Sequence, residues 1–385
     1  MERIISTIQQ SSFTTKYILN MIYIALTCII SSNVTDFLHV PFTIIFYIIN
    51  FGEYHTKLYF LQLLINLVVI MLFHKSKGRT YFLLFINLIT FGLIKHFSNL
   101  IDLDVKSHNN ISIQFMLLVP KMYYISKEVI EIRYLFFLPS ILAGPVIPLY
   151  DFIDRSYFEY DFKKLLLCFI YGSILSLKDF ISYEMLINKD NSFFVSYLLL
   201  FCYGFIFRSK YYFIWTFSSF CYSLCRLKVD NIDLIGVESA RSMQEIMRKW
   251  NVYVNIWLKE SIFDPMKKHG NFLAGFLTCL VSSMWHGFYV AYFLMFLSFS
   301  ISVAPLKVTR KYYSLVLSDT LIKVFDIFIT SSLVSFFSVP FYFLDVERTM
   351  KVWGSVKYYG LFYVFISSVV FLIDRIVVIK KGKTE

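Results

Sequence analysis

The sequence predicts an all-α, polytopic integral membrane protein, and three observations carry that prediction. Of the 385 residues, 57% are hydrophobic and only 16% are charged, whereas a soluble chain carries about 25% charged residues. Mean hydropathy is +0.62. The apolar residues fall into successive runs, several of them near the roughly 20 residues that a bilayer-spanning helix needs. So few charges cannot cover a globule in water. An ordinary cytosolic enzyme, a nucleic-acid-binding module and a disordered chain are excluded together.

The apolar runs lie at 16–35, 38–52, 57–73, 80–97, 112–125, 134–150, 163–180, 193–207, 210–226, 272–285, 286–305, 319–344 and 357–379. Those at 38–52, 112–125 and 272–285 are short for a span, which suits tilted, re-entrant or buried segments. The prediction is therefore about 9–11 transmembrane helices with re-entrant or interfacial pieces. No internal repeat and no long polar stretch is visible, so residues 1–385 read as a single integral-membrane domain.

The longest polar stretch, 226–271, still carries Trp250, Trp257 and Phe263. Within it Met243, Ile246, Met247, Trp250, Val254 and Trp257 recur three and four apart, which predicts one amphipathic helix from Met243 to Ile262 at the membrane surface.

A net charge of +11 (37 Lys+Arg, 26 Asp+Glu) suits cytoplasmic loops held against anionic lipid. The stretches His74–Arg79, Lys267-Lys268, Lys307–Lys311 and Lys380–Lys383 are basic and are assigned to the cytosol. The six cysteines lie in apolar runs with no paired spacing, so packed thiols are expected rather than disulfides or zinc. Asn33-Val-Thr35 and Asn110-Ile-Ser112 are glycosylation sequons if lumenal.

Polar groups within apolar runs are the functional candidates. His286, in Val281-Ser-Ser-Met-Trp-His-Gly287, is the one histidine of seven far from any polar loop. Trp285 precedes it, and Gly287 after it admits a close approach. Lys249-Trp-Asn251 is followed by Asn255, four residues on. On a continuous helix the two amides share a face and can hold a carbonyl or hydroxyl. Arg208-Ser-Lys210-Tyr211-Tyr212-Phe-Ile-Trp215 combines cations and aromatics as at a water boundary. Pro139–Pro145 breaks a hydrophobic helix, as happens where a segment lines a site. No serine elbow, nucleotide loop or metal-ligand motif is present. A histidine base with amide partners remains.

Asn231-x-Asp233, Glu238, Ser242, Trp250-Asn251, Trp257-Leu258 and Ser282-Ser283-x-Trp285-His286-Gly287 together resemble the membrane-bound O-acyltransferases. The 35 residues from Asn251 to His286 fit that family's Asn/His pair. The block from Arg208 to Trp215, with Gly144-Pro145, Tyr150 and Phe152, resembles its lysophospholipid acyltransferase branch. The motif-bearing core runs from about 134 to 300. After Gly287 stands Phe288-Tyr-Val-Ala291-Tyr292, where many members carry Pro-Gly-Tyr.

The resemblance implies acyl transfer from acyl-CoA, as co-substrate, to the free hydroxyl of a lysophospholipid. It implies His286 as general base, Asn251 as its partner, and neither cofactor nor metal. Arg208, Lys210, Arg248 and Lys249 are the cations available to the CoA phosphates. Tyr211, Tyr212, Trp215, Asn255 and Trp285 are further substrate-binding candidates. Two other readings stand beside it: acylation of a protein or other hydroxyl acceptor on the same fold, and a transporter with His286 in its path. The final residues Lys381-Gly-Lys383-Thr-Glu385 resemble an endoplasmic reticulum retrieval signal, which predicts that membrane and a cytosolic C-terminus.

Overall fold

A computed structural model describes residues 13–76, 78–97, 111–155 and 159–381. Asn110 of the second sequon, Lys77 and Lys383 lie outside the described residues. Helices and short helical turns make up the described chain, with no strand among the described residues. Among the described residues six helices are long and apolar enough to cross a membrane, by length and composition: Thr15–Asn33, Asp36–Leu72, Phe193–Leu224, Val290–Tyr313, Asp319–Phe343 and Tyr359–Val377. Shorter ones, among them Arg79–His96, Ser112–Lys127, Phe162–Leu175 and Asn271–His286, accompany them. Gly52, at φ 79 and the last residue of the run 38–52, interrupts the helix His39–Leu72, which takes in the runs 38–52 and 57–73 read as separate.

Three expectations are corrected. The runs 193–207 and 210–226 form one helix of 32 residues, Phe193–Leu224. The Arg208–Lys210 segment is thus inside a helix and not at a break. Its arginine charge is neutralised by a carboxylate, so the helix need not end there. The amphipathic helix expected over Met243–Ile262 stops at Lys249 and restarts at Val252. Pairings around the turn, described below, fix that interruption. The apolar run 134–150 is not a span but a short helix, a 3-10 turn and irregular backbone.

The described chain packs as two compact units. The first takes the residues up to Cys168, with Ile214–Asn231 and Met284–Phe288. The second takes Phe169–Phe213, Ile232–Ser283 and the chain from Tyr289 onward. In the first, buried Asn66 and Asn87 exchange amide hydrogen bonds, each 2.9 Å, the polar pairing that joins helices in lipid. In the second, the fully buried carboxylate of Asp326 gathers Arg241 at 3.0 Å and Arg310 at 2.8 Å, with the Tyr313 hydroxyl donating at 2.5 Å. A charge inside an apolar helix is tolerable only with such partners.

Candidate active site

Irregular backbone in an apolar setting must find its hydrogen bonds among side chains, and in the first unit the segment 135–147 does so. Thr43 donates to the Phe136 carbonyl at 2.5 Å, Lys121 to Leu135 at 2.8 Å and Gln114 to Ile141 at 2.6 Å. Tyr222 donates to Pro145 and Tyr134 to Ile147, both at 2.7 Å. Ser218 donates to Pro139. The peptide bond before Pro145 is cis. Trp215, a substrate-binding candidate, is buried and donates its indole N–H to Ala143 at 3.2 Å. Its placement gives it a scaffolding contact with this segment.

His286 is the last residue of the helix Asn271–His286. The four last carbonyls of a helix lack intrahelical partners and carry its negative dipole end. Lys95, from the helix Arg79–His96, supplies both a donor and a positive charge, its Nζ lying 2.6 Å from the His286 carbonyl oxygen. Gly287 makes the approach possible. Its φ is +125, and a Cβ there would meet Lys95 Cδ at 2.9 Å. Trp285 is buried, with its indole N–H on the Met116 carbonyl at 2.8 Å. The imidazole, half-buried, stands edge-on to that indole at 4.8 Å between ring centroids. The histidine is thus held on both sides by first-unit residues. Lys95 escaped the sequence reading because 191 residues separate it from His286; a lysine closing an apolar run was the only signal.

Asn251 belongs to the second unit, and it is not helical. It caps the helix Val252–Leu258 in the left-handed region, φ 47 and ψ 58. Asparagine is among the few residues that adopt this region readily, and its carbonyl accepts the Asn255 N–H at 3.0 Å. The two amides therefore do not share a helix face. Asn255 rides on the helix and Asn251 stands in the turn before it. Both are half-buried.

The turn is braced from the preceding helix. Ser242 caps Met243–Lys249, its oxygen accepting from the Glu245 N–H at 3.2 Å, while Glu245 accepts from the Arg241 N–H at 2.8 Å. This is close to a capping box. Asp233 caps Leu234–Glu238 through the Gly236 N–H at 2.9 Å. Lys249 reaches Glu245 at 2.7 Å and Asp233 at 3.7 Å. Burial works to push Glu245 up, but the Lys249 hydrogen bond, the Arg241 N–H and the charge of Arg248 hold its carboxyl below the usual range. The same hydrogen bond raises the Lys249 ammonium above its ordinary value.

Of the four cations considered for CoA phosphates, two already carry carboxylates. Lys249 is one. Arg208 is the other, buried and bidentate to Glu238 at 2.9 and 2.8 Å, a pairing that Tyr212 joins with its hydroxyl. Arg248 is exposed and Lys210 half-buried. Tyr211 and Tyr212 flank the Trp250 ring at 5.5 and 5.8 Å. The second unit thus brings together Arg208, Tyr211, Tyr212, Trp250 and the Asn251 turn, whereas His286, Trp285 and Trp215 belong to the first.

The family model of the membrane-bound O-acyltransferases matches residues 128–353, a stretch longer than the core 134–300 and containing both Asn251 and His286. The chain is 29% identical over 219 residues to the Lysophospholipid acyltransferase of Saccharomyces cerevisiae, covering 49% of this chain and 35% of that protein. It is 30% identical over 182 residues to Lysophospholipid acyltransferase 1 of Arabidopsis thaliana, covering 41% and 39%. The Schizosaccharomyces pombe Lysophospholipid acyltransferase is 26% identical over 297 residues, covering 62% and 57%. The matched parts thus span little more than a third of the first two relatives' own lengths. The family match covers more than half of this chain, with apolar helices suited to repeated membrane crossing: the chain is a multi-pass member of the membrane-bound O-acyltransferase family.

Proposed function

We propose that the chain moves a long-chain acyl group from acyl-CoA to the free hydroxyl of a lysophospholipid. The observation that carries this reading is the family match across both Asn251 and His286, alongside relatives whose names specify lysophospholipid acyl transfer. His286 takes the hydroxyl proton as the oxygen attacks the thioester carbonyl. The carbon–sulfur bond breaks, and the CoA sulfur leaves with the proton returned by the imidazolium. The neutral imidazole is the form that takes this proton. Asn251 donates its amide to the oxygen that gains charge, a contact worth about 3–4 kcal/mol in other acyl-transfer enzymes. The thioester is already activated, so the reaction as proposed uses neither a metal nor an acyl-enzyme.

The location that suits this chemistry is the endoplasmic reticulum membrane, with the C-terminus in the cytosol where acyl-CoA is supplied. Basic residues following the last apolar helix support that orientation. The test of the function is radiolabelled acyl-CoA added to membranes carrying the chain, with a panel of lysophospholipids. Label should enter phospholipid and persist in a chelator. Label confined to protein or sterol would reassign the acceptor, and chelator loss restored by a divalent ion would overturn the metal-free route.

A further inference from the structure

Asp326 lies two turns into the helix Asp319–Phe343, in the second unit, and its buried carboxylate holds two arginines rather than one. Arg241 reaches it with Nε at 3.0 Å and Nη2 at 3.0 Å. Arg310, in the last turn of Val290–Tyr313, reaches it with Nε at 3.1 and 3.0 Å and Nη2 at 2.8 Å. One carboxylate offsets one guanidinium. Neither guanidinium is bonded to a second carboxylate among the described residues. Glu245, on the Arg241 main-chain N–H, is taken by Lys249.

The surplus charge is open to water. The side chains of Arg241 and Arg310 are 35% and 41% exposed, against 0% for Asp326. Their bonds to the carboxylate use the Nε and Nη2 edge, which turns the Nη1 side of each guanidinium away from Asp326. Lys307, one turn before Arg310, and Lys323, one turn before Asp326, are exposed and strengthen the same field. Two cations sharing one oxygen repel each other, and an anion laid across their outer sides relieves that repulsion. The planar fork of arginine matches phosphate oxygens. Arg310 and Asp326 also lie near the ends of apolar helices, where a span meets the headgroup layer. We propose that Arg241 and Arg310, seated on Asp326, bind a phosphate group at the membrane surface. An anionic phospholipid headgroup and the phosphates of CoA are its two sources. CoA as the source rests on the acyltransferase reading above, and a lipid headgroup does not.

The test uses the purified full chain in phosphatidylcholine nanodiscs, as wild type, Arg241→Gln and Arg310→Gln. Each substitution leaves one arginine on Asp326, so the buried carboxylate stays paired. One probe is radiolabelled CoA, bound at a temperature where all three proteins are folded. The other is phosphatidate added to the discs, read as a shift in melting temperature. If CoA is the source, both variants should bind it about tenfold more weakly than wild type, the loss of one charge-assisted hydrogen bond. If lipid is the source, phosphatidate should raise the melting temperature of wild type and of neither variant. Either difference should shrink as salt rises, because the arginines are exposed. Unchanged CoA affinity together with an unchanged phosphatidate response in both variants would overturn the proposal, and the second arginine would then serve only the fold. So would displacement of CoA by acetate as readily as by pyrophosphate at equal ionic strength. Arginine-dependent binding by a chain that transfers no acyl group would defeat the proposed function and leave this site standing. Acyl transfer with neither response altered would do the reverse.

Discussion

The ammonium of Lys95 lies 2.6 Å from the main-chain carbonyl oxygen of His286, with the bare Cα of Gly287 beneath the lysine stem. The contact joins the end of the helix that carries the proposed base, and it does so through backbone. Lys95 is therefore a positioning residue. Gly287→Ala adds a Cβ 2.9 Å from Lys95 Cδ at a backbone angle of +125. Displacement of a catalytic group by about 1 Å can cost about 10²-fold. Turnover should fall on that scale for Gly287→Ala and less for Lys95→Arg, which keeps a donor and a charge. Steady-state acyl transfer by purified variants measures both. Wild-type turnover in Gly287→Ala would remove the positioning role.

Backbone and side-chain roles of Asn251 are separable because of its left-handed conformation. Asn251→Gly keeps the turn and removes the amide, while Asn251→Ala removes the amide and strains the turn. If the amide contacts the reacting groups, both should lose roughly 10²-fold in kcat, as for loss of an oxyanion donor. The alanine variant should also melt lower. Asn255→Ala, one turn into the helix, should act nearly as wild type. A damaging Asn255→Ala with a silent Asn251→Gly would move the role to Asn255.

Glu238 keeps the buried Arg208 charge compensated. Glu238→Gln leaves that cation unpaired, which costs about 3 kcal/mol or more in buried pairs. The purified variant should lose folded yield and thermal stability. Replacing both partners by methionine should recover part of the loss. An unchanged melting temperature in Glu238→Gln would show the pair to be dispensable.

The depressed pKa of Glu245 makes a pH prediction with a definite sign. Its contribution is full above the ordinary glutamate value of about 4.3 and disappears as pH falls through its lower folded value. Melting temperatures from neutral pH to about pH 3 should therefore fall less for Glu245→Gln than for wild type. Lys249, raised above the ordinary lysine value, adds stability that is lost only as pH rises through that higher value. Parallel acid profiles for variant and wild type would rule out the coupling.

Much of this was legible from residue patterns. Low charge and apolar runs predict the membrane helices, and the break at Gly52 coincides with the end of the predicted run 38–52. The blocks around Asn251 and His286 predict the family. What pattern could not supply was long-range pairing. Period-three-and-four spacing from Met243 to Trp257 reads as one helix, yet Ser242, Asp233, Glu245 and Lys249 surround a left-handed turn that asparagine adopts readily. Arg208 looks like an exposed phosphate ligand until Glu238, 30 residues on, is found beside it. Trp215 looks like a ligand-binding aromatic until Ala143 is found at its indole, 72 residues back.

The central claim is that His286 is the base of an acyl transfer, and its most direct test is initial-rate incorporation of radiolabelled acyl-CoA into lysophospholipid. Purified wild type, His286→Ala and His269→Ala are compared at equal folded concentration. His269 lies in the short turn Lys267–His269 and serves as control. The account predicts transfer by wild type and His269→Ala, and none above background by a folded His286→Ala. Full transfer by His286→Ala would contradict it.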